Sequence, residues 1–496
     1  MAVINYNELS WKDLPINVGA SYEGERIKWK KTAWELGGPK IGTKFELVQV
    51  RKRDEIEDGV IKVIGPKLEE MDPQKSYPFG ILIEVAGDKK SGGELDEALA
   101  AVFERRIHEF TNFIQGSMHL NQRYDIHIRL SEAAMKKGFN FDVWGSVLLK
   151  LYSESLGVFE KMQITFITDP KAVEEWQQKA IKIYKDRDQR ARDLTDEEVD
   201  EFYGCVLCQS FAPTHVCVIT PQRISSCGAL SWFDSRAAAK VDPEGPNFAI
   251  PKGEVIDPVG GEYADVNRVM KERSQGEIER IGLHRLFGET HTSCGCFEAA
   301  AFYIPEVDGI GVVHRDFPED TVNGLSFATL ATQVGGGIQT GGFIGIAIEY
   351  LYSKKFFQAD GGIERLVWLP AEIKERVKDA IPADLYDKIA TENDVASVDE
   401  LKAFLRDKGH PIVQSWPEEP KEVVAAAPVP TAATAQQAQQ MVSMPQMTQG
   451  MMQIPITGAI AVPAGALPTG SGGQEIKIVL KNVKIHVEKL VLKKKE

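Results

Sequence analysis

The chain has 496 residues, of which 43% are hydrophobic and 26% charged, and this composition is typical of a globular protein of two or three domains. The net charge of −14 excludes a general nucleic-acid-binding protein, because such proteins need a basic face. The N-terminal residues lack the basic and apolar segments of a signal peptide, and the folded part has no apolar run of about 18 residues. We therefore expect a cytoplasmic protein without a membrane span, whose cysteines stay reduced.

Strand-like and helix-like segments alternate over residues 1–185. Residues 95–114 carry apolar side chains at three- and four-residue spacing, which predicts an amphipathic helix. Ser131 is suited to cap a helix, and Asp169 followed by Pro170 is a typical helix start. The pattern favours a mixed α/β fold for this first domain. Runs of β-branched and apolar residues predict strands at residues 45–50, 80–85, 124–130 and 163–168.

The rest of the chain divides into three parts. Residues 186–418 contain every cysteine and form the predicted second globular domain. Residues 419–474 are predicted to be a flexible linker, because Ala, Pro and Met dominate and no charge occurs from residue 423 onwards. Residues 475–496 are basic, with alternating apolar residues among lysines. A docking segment for another subunit and a solvated tail are the alternatives for this end of the chain.

All six cysteines lie between residues 205 and 296, and such clustering usually indicates metal binding. Cys205, Cys208, Cys217 and Cys227 can bring four thiolates to one centre, which suits an iron–sulfur cluster or structural zinc. A zinc ribbon normally has two Cys-x-x-Cys pairs, and here only one is present. We therefore favour iron–sulfur for these four residues and keep zinc as the alternative.

Cys294, Gly295 and Cys296 form a different kind of ligand set. Two cysteines one residue apart can chelate one ion through both sulfurs and the backbone nitrogens of Gly295 and Cys296, because glycine lets the backbone wrap tightly. A planar set of two nitrogens and two sulfurs points to Ni(II) or Cu(II), and we favour nickel in a reducing cytosol. Two buried thiols at an ordinary turn are the alternative.

Several other residues are weaker candidates. The glycines at 335–337 and 341–342 can approach phosphates of a ligand, but a plain loop is the more common role of such runs. His215 and His291 neighbour cysteines and can bond sulfurs or simply pack. The sequence does not reveal whether the arginines of the first domain converge into a basic pocket; these are Arg105, Arg106, Arg123 and Arg129.

The six-cysteine pattern, with the surrounding residues 204–213, 293–298 and 333–343, resembles the acetyl-CoA synthase family. Within it, the likeness is closest to the β subunits of archaeal acetyl-CoA decarbonylase/synthase complexes and covers residues 10 to 410. The resemblance implies a [4Fe-4S] cluster on Cys205, Cys208, Cys217 and Cys227, with Cys208 bridging to a proximal nickel ion.

The same resemblance implies that Cys294 and Cys296 bind the proximal nickel through sulfur. Together with the nitrogens of Gly295 and Cys296 they would also form the planar site of a distal nickel. Phe211 matches the aromatic residue that the family places over the proximal metal, and a plain core phenylalanine is its alternative role. Cys208, Phe211, Cys294 and Cys296 are thus the expected catalytic residues.

The implied reaction joins carbon monoxide, a corrinoid-bound methyl group and CoA into acetyl-CoA, or runs in reverse. It implies methyl-corrinoid protein subunits and carbon monoxide dehydrogenase subunits as partners, and contacts with CoA or the corrinoid partner are expected in the first domain. Two alternatives remain at this point. One is an iron–sulfur electron-transfer subunit without nickel chemistry, and the other is a zinc-stabilised scaffold subunit.

Overall fold

The strands of the protein are short and lie in five sheets. A computed structural model describes residues 2–19, 32–120 and 122–417, and all statements on elements refer to these ranges. The strands are β1 (Ala2–Val3), β2 (Thr32–Gly37), β3 (Lys44–Arg51), β4 (Val60–Ile64), β5 (Lys75–Tyr77), β6 (Phe79–Asp88), β7 (Ser117–His119), β8 (His127–Ser131), β9 (Phe159–Ile167), β10 (Glu201–Cys205), β11 (Cys217–Ile219), β12 (Asn247–Pro251), β13 (Val255–Asp257), β14 (Glu262–Tyr263), β15 (Ala299–Ile304), β16 (Gly309–His314), β17 (Phe343–Ile346) and β18 (Leu366–Trp368).

The three longest α-helices lie in the first half of the described chain, and six shorter ones lie in the second half. They are α1 (Leu99–Asn112), α2 (Glu132–Lys136), α3 (Phe141–Ser155), α4 (Pro170–Gln189), α5 (Trp232–Val241), α6 (Ala264–Arg273), α7 (Phe327–Val334), α8 (Ala371–Arg376), α9 (Ala383–Tyr386) and α10 (Val398–Asp407). None of these helices combines the length and the apolar character that a membrane span requires.

The largest sheet has the strand order β1–β4–β9–β6–β3. It is mixed, because β3 pairs parallel to β6 while β6 pairs antiparallel to β9. A second sheet of the same half has the order β5–β2–β8–β7, and the later sheets are β11–β10–β12, β13–β14 and β17–β15–β16–β18. The predicted mixed α/β fold is confirmed.

Side chains of β3 alternate between two helical layers, as the two-residue period of a strand requires. Phe45 and Leu47 pack in a cluster that includes residues of α4, whereas Val48 lies in the large core that includes half of the residues of α1. Glu46 is fully buried and lies between Phe45 and Leu47 in sequence, so its side chain shares the face of Val48. This alternation directs a carboxylate towards α1.

Most sequence predictions for the first half are confirmed. The strands predicted at residues 45–50, 80–85 and 163–168 correspond to β3, β6 and β9, and the helix predicted at residues 95–114 is α1. The side chains of Ser131 and Asp169 accept N-cap hydrogen bonds as expected. The strand predicted at residues 124–130 begins only at His127, because Arg123 has a positive φ of 58° and starts a 3-10 turn.

The largest hydrophobic cluster contains side chains from Tyr6 to Leu283 and thus draws on both predicted domains. Residues Met1–Glu418 group into one compact unit. The boundary between residues 185 and 186 stays a prediction. The linker predicted at residues 419–474 and the docking segment predicted at residues 475–496 lie outside the described residues.

Candidate metal centre

Three cysteines bring their sulfur atoms together inside the protein. The Sγ atoms of Cys208, Cys294 and Cys296 all lie within 4.8 Å of one another, and the described residues contain no second group of this kind. Cys208 and Cys294 are buried and Cys296 is half-buried. The backbone N–H of Cys296 donates to the Cys294 sulfur at 3.2 Å, so the turn itself orients one of the three sulfurs.

The antiparallel pair of β10 and β11 positions Cys205 and Cys217, and Cys227 lies after β11. Cys205 and Cys217 are direct cross-strand partners. Burial and, after it, the charge of Cys217 raise the pKa of Cys205 to about 12, and the charge of Cys227 acts in the same direction. Cys227 also lines a cavity of about 20 Å³ together with Cys296. These three cysteines therefore adjoin the three-sulfur group without being part of it.

Hydrogen bonds to the backbone carbonyl groups of residues 293–295 fix the turn at Gly295. The N–H of Gly336 donates to the carbonyl of Cys294 at 2.8 Å, and the N–H of Gly337 donates to that of Ser293 at 2.9 Å. Arg315 Nη2 donates to the Gly295 carbonyl at 2.7 Å. The N–H of Gly335 donates to the Ala331 carbonyl at 3.0 Å, so all three amides of the 335–337 glycine run are engaged with the protein, and two of them support the turn.

Arg105 supplies a positive charge at the sulfurs. It is 1% exposed, and its Nη2 donates to the Cys208 sulfur at 3.1 Å. Burial lowers the pKa of the Arg105 guanidinium, but the charges of Cys208, Cys227 and the other nearby cysteines more than compensate and raise it well above its usual range. Its Nη1 is buried and has no hydrogen-bond partner among the described residues. A buried cation with an unused donor fits an anionic group beside it.

The three neighbouring thiols resist ionisation when left to themselves. Contact with Cys294 and burial raise the pKa of Cys208 well above its usual range. Contact with Cys208, together with burial, also raises the pKa of Cys296. Since thiolates are the metal-binding form, a soft cation relieves the repulsion that ionising all three sulfurs would create. The donor set and its buried counter-charge therefore fit a thiolate-bound metal centre.

The aromatic residue and the histidines singled out from the sequence take different positions. Phe211 packs on the sulfur group, and its ring would lie 3.7 Å from a Cβ atom added at Gly295. His215 bonds Thr292, and His291 bonds the N–H of Val218 and the Thr292 carbonyl. Neither histidine has a described hydrogen bond to sulfur, so local packing is the role that these contacts support.

The four arginines of the first domain do not converge. Arg105 contacts Cys208, whereas Arg106 pairs with Glu109 at 3.1 Å and Arg123 pairs with Asp188 at 2.9 Å. The remaining member, Arg129, pairs with Glu35 at 3.5 Å. Sequence analysis thus named the arginine that contacts the sulfurs, but it did not show that the other three arginines lie elsewhere.

Sequence reasoning missed His108, whose Nε2 lies 3.5 Å from the Cys296 sulfur. His108 and Arg105 follow each other at three-residue spacing on α1, a helix in which every residue except Glu109 is buried. The polar stripe of an amphipathic helix normally faces solvent. Here it faces the sulfurs, and the density of polar residues at three- and four-residue spacing was the available signal.

A buried three-cysteine group with a guanidinium on a mixed α/β scaffold defines a protein with a candidate thiolate metal centre. Residues 14–173 match the family model described as the beta subunit of the CO dehydrogenase/acetyl-CoA synthase complex, and residues 184–417 match that for the C-terminal part of the ACS/CODH beta chain. The chain belongs to the family of acetyl-CoA decarbonylase/synthase complex beta subunits.

Relatives from several organisms support this assignment. The acetyl-CoA decarbonylase/synthase complex subunit beta 2 of Methanosarcina thermophila is 47% identical over 98% of this chain and 99% of its own length. The subunit beta of Methanothermobacter thermautotrophicus is 48% identical over 98% of this chain and 100% of its own. A subunit beta 2 of Methanosarcina mazei is 52% identical over 82% of this chain and 85% of its own.

Proposed function

We propose that the protein synthesises or cleaves acetyl-CoA from carbon monoxide, a corrinoid-bound methyl group and CoA, as an acyltransferase subunit of a larger complex. The observation that carries this proposal is the three-sulfur group beside buried Arg105, in a chain related over nearly its whole length to acetyl-CoA decarbonylase/synthase subunits. Methyl-corrinoid protein subunits and carbon monoxide dehydrogenase subunits are the proposed partners, because two of the reactants need delivery.

The proposed cofactors are a [4Fe-4S] cluster and two nickel ions. Cys205, Cys208, Cys217 and Cys227 would hold the cluster. Cys294 and Cys296 would hold nickel with Cys208 and with the backbone nitrogens of Gly295 and Cys296. When bound, these metals supply a redox-active site at which the one-carbon groups join before their transfer to the CoA thiol.

The chain itself supplies charge, orientation and exclusion of water. Arg105 places a fixed positive charge at the Cys208 sulfur and so stabilises the thiolate form that a metal requires. The bonds from Gly336 and Gly337 hold the turn at Cys294 from its carbonyl side. Phe211 covers the sulfurs with an apolar ring, which limits water at the centre.

Metal analysis of anaerobically purified protein tests the proposal. We expect roughly four iron and two nickel ions per chain. The Cys296→Ser variant should lose nickel and acetyl exchange. It should keep its iron and visible absorption, because Cys296 is not one of the proposed cluster ligands. Iron without nickel after nickel loading would indicate an electron-transfer subunit, and zinc alone would indicate a scaffold subunit.

A further inference from the structure

A line of hydrogen-bonded side chains leads from the three-sulfur group to a buried carboxylate. His108 Nε2 lies 3.5 Å from the Cys296 sulfur, and His108 Nδ1 lies 2.9 Å from His119 Nδ1. His119 Nε2 lies 2.6 Å from Glu46 Oε2. Four residues from three secondary-structure elements and the turn at Cys296 thus form one chain of contacts.

Every member of this line beyond Cys296 is inside the protein. Glu46 on β3 is 0% exposed, His119 on β7 is 1% exposed and His108 on α1 is 4% exposed. Bulk water therefore does not compete for these bonds, and a buried network of this kind fixes side-chain orientation more firmly than an exposed one.

The groups at the two ends of the line set the direction of the hydrogen bonds. A carboxylate only accepts, so His119 Nε2–H donates to Glu46. A thiolate also only accepts, so His108 presents Nε2–H to a metal-bound Cys296 sulfur, and its Nδ1 atom accepts from His119 Nδ1–H. The two acceptors at the ends of the line, the Glu46 carboxylate and the Cys296 sulfur, thus set which ring nitrogens donate.

Neighbouring groups hold both ends of this line. Asn112 Nδ2 donates to the His119 carbonyl at 3.1 Å, and the His119 N–H donates to Asn112 Oδ1 at 2.8 Å. Asn112 Nδ2 also lies 3.3 Å from His108 Nε2. At the other end, the N–H of Arg123 donates to Glu46 Oε1 at 3.4 Å, and the Tyr184 hydroxyl donates to the Glu46 carbonyl.

We propose that Glu46 and His119 are positioning residues of the metal centre and act through His108 on the sulfur of Cys296. They fix the ring of His108, which in turn fixes where the Cys296 sulfur lies relative to Cys208 and Cys294. Partners behind the ligands of a metal orient those ligands in this way. The inference rests on the proposed function, because it takes Cys296 as a nickel ligand.

The test uses Ni²⁺ alone with the full-length chain carrying its iron–sulfur cluster, titrated anaerobically against a competing chelator. Glu46→Gln keeps the size of the side chain but removes its negative charge, and because an amide can donate as well as accept, the direction of the bond to His119 is no longer fixed. Its expected effect is Ni²⁺ binding weakened by about 10–100-fold, the range seen when such outer partners are removed. The thiolate-to-nickel absorption band should shift as well, since the Cys296 sulfur is displaced, while the iron content stays unchanged.

The chain contains a matched control. Asp196 is buried, its Oδ2 lies 3.0 Å from the Nε2 atom of His284, and its Oδ1 accepts from the N–H of Gln222 at 3.0 Å. Asp196→Asn thus changes a similar carboxylate–histidine pair, with no sulfur at its end. We expect wild-type Ni²⁺ affinity and absorption in this control, because a general effect of altering a buried carboxylate would show in both variants.

A second variant keeps the test decisive if Glu46→Gln does not fold. His119→Gln retains a donor for Glu46 but removes the ring nitrogen that faces His108, and it should weaken Ni²⁺ binding similarly. Unchanged affinity and an unchanged band in either folded variant, or equal weakening in Asp196→Asn, would overturn the inference. If Cys296→Ser binds Ni²⁺ as tightly as wild type, the proposed function fails instead, so the two failures are distinguishable.

Discussion

Arg105 is the residue on which the charge balance of the sulfur group depends. Its guanidinium is 1% exposed and donates to Cys208, while its Nη1 has no partner among the described residues. A buried cation is costly unless an anion compensates it, and the thiolates of a loaded centre provide that compensation. Arg105 and a bound metal would therefore both stabilise the ionised sulfurs.

Replacing Arg105 with Leu should lower metal loading at Cys208 by about 10–100-fold, because the thiolate loses its positive neighbour. The fold should persist, since the change removes a buried charge that is only partly satisfied. Metal content per chain and thermal unfolding before and after chelation measure the two effects.

Arg106→Leu is the control for this prediction. Arg106 belongs to the same helix, but it pairs with Glu109 and stacks on Phe110 at 4.8 Å instead of contacting sulfur. Metal loading should be unchanged in this variant. Equal loss in both variants would mean that α1 packing, and not the charge at Cys208, controls the centre.

Gly295 is required for its backbone conformation and not for lack of space. Its φ is 146°, and a Cβ atom added there meets only Phe211, at an ordinary distance of 3.7 Å. Gly295→Ala should therefore cost about 1–3 kcal/mol of backbone strain and reduce nickel at Cys294 and Cys296. Gly341→Ala is the matched change in open space, and it should alter neither unfolding nor nickel content. Full nickel occupancy with unchanged stability in Gly295→Ala would contradict this account.

At the scale of single residues, the sequence predicted the cysteines but not their surroundings. Cysteine types and spacing carry their own chemistry, so Cys208, Cys294 and Cys296 were recognisable along the chain. Arg105 and His108 act only because tertiary packing turns the polar side of α1 inwards. No local pattern specifies which layer a polar helix stripe will face.

At the scale of elements, regular strands and capped helices were predictable and strained turns were not. β6 is nearly continuously apolar, β3 and β9 are rich in apolar and β-branched residues, and Asp169 caps α4 as expected. The late start of β8 follows from the positive φ of Arg123. An arginine in a sequence gives no signal for a positive φ. The pairing of Cys205 with Cys217 likewise depends on strand register.

The turn that follows α10 predicts a pH dependence of stability. His410 is 1% exposed, its Nε2 donates to the Leu366 carbonyl at 3.0 Å, and its Nδ1 accepts from the Ile412 N–H at 3.1 Å. Burial lowers the pKa of His410 from 6.5 to about 4. His410 is therefore protonated near pH 6.5 in the unfolded chain, but only near pH 4 in the folded chain.

Stability from His410 is present above pH 6.5 and is lost as the pH falls towards 4, with a slope of up to about 1.4 kcal/mol per pH unit. His410→Gln should lower stability at pH 7, because the two bonds are altered, and flatten its dependence between pH 6.5 and 4. Urea unfolding at pH 7 and pH 5 measures both effects. A variant as sensitive to pH as the wild type would show that His410 is not the titrating group.

At the scale of the whole molecule, the compact unit Met1–Glu418 contains every candidate metal ligand. Truncation after Pro420 should therefore leave metal content and acetyl exchange with CoA nearly unchanged. It should weaken assembly with the proposed corrinoid and carbon monoxide dehydrogenase subunits, because a basic segment on the predicted linker would raise the local concentration of acidic partners.

Deletion of residues 475–496 alone separates the roles of tether and segment. The same loss of assembly is expected, and it should be greatest at low salt, where charge attraction is least screened. Co-purification with undiminished partner stoichiometry at low and moderate salt would leave this end of the chain as an ordinary solvated tail.

The positions of these residues along the chain also set the order in which they are synthesised. Arg105 and His108 leave the ribosome first, then the cysteines up to Cys227, and only later Cys294 and Cys296. At about 5–20 residues per second, the interval between Cys227 and Cys294 lasts roughly 3–13 s. During that time the first four thiols exist without the turn that completes the group. Delivery of the proposed iron–sulfur cluster can therefore precede insertion of the proposed nickel, which would need the Cys294 turn to be packed beside Cys208.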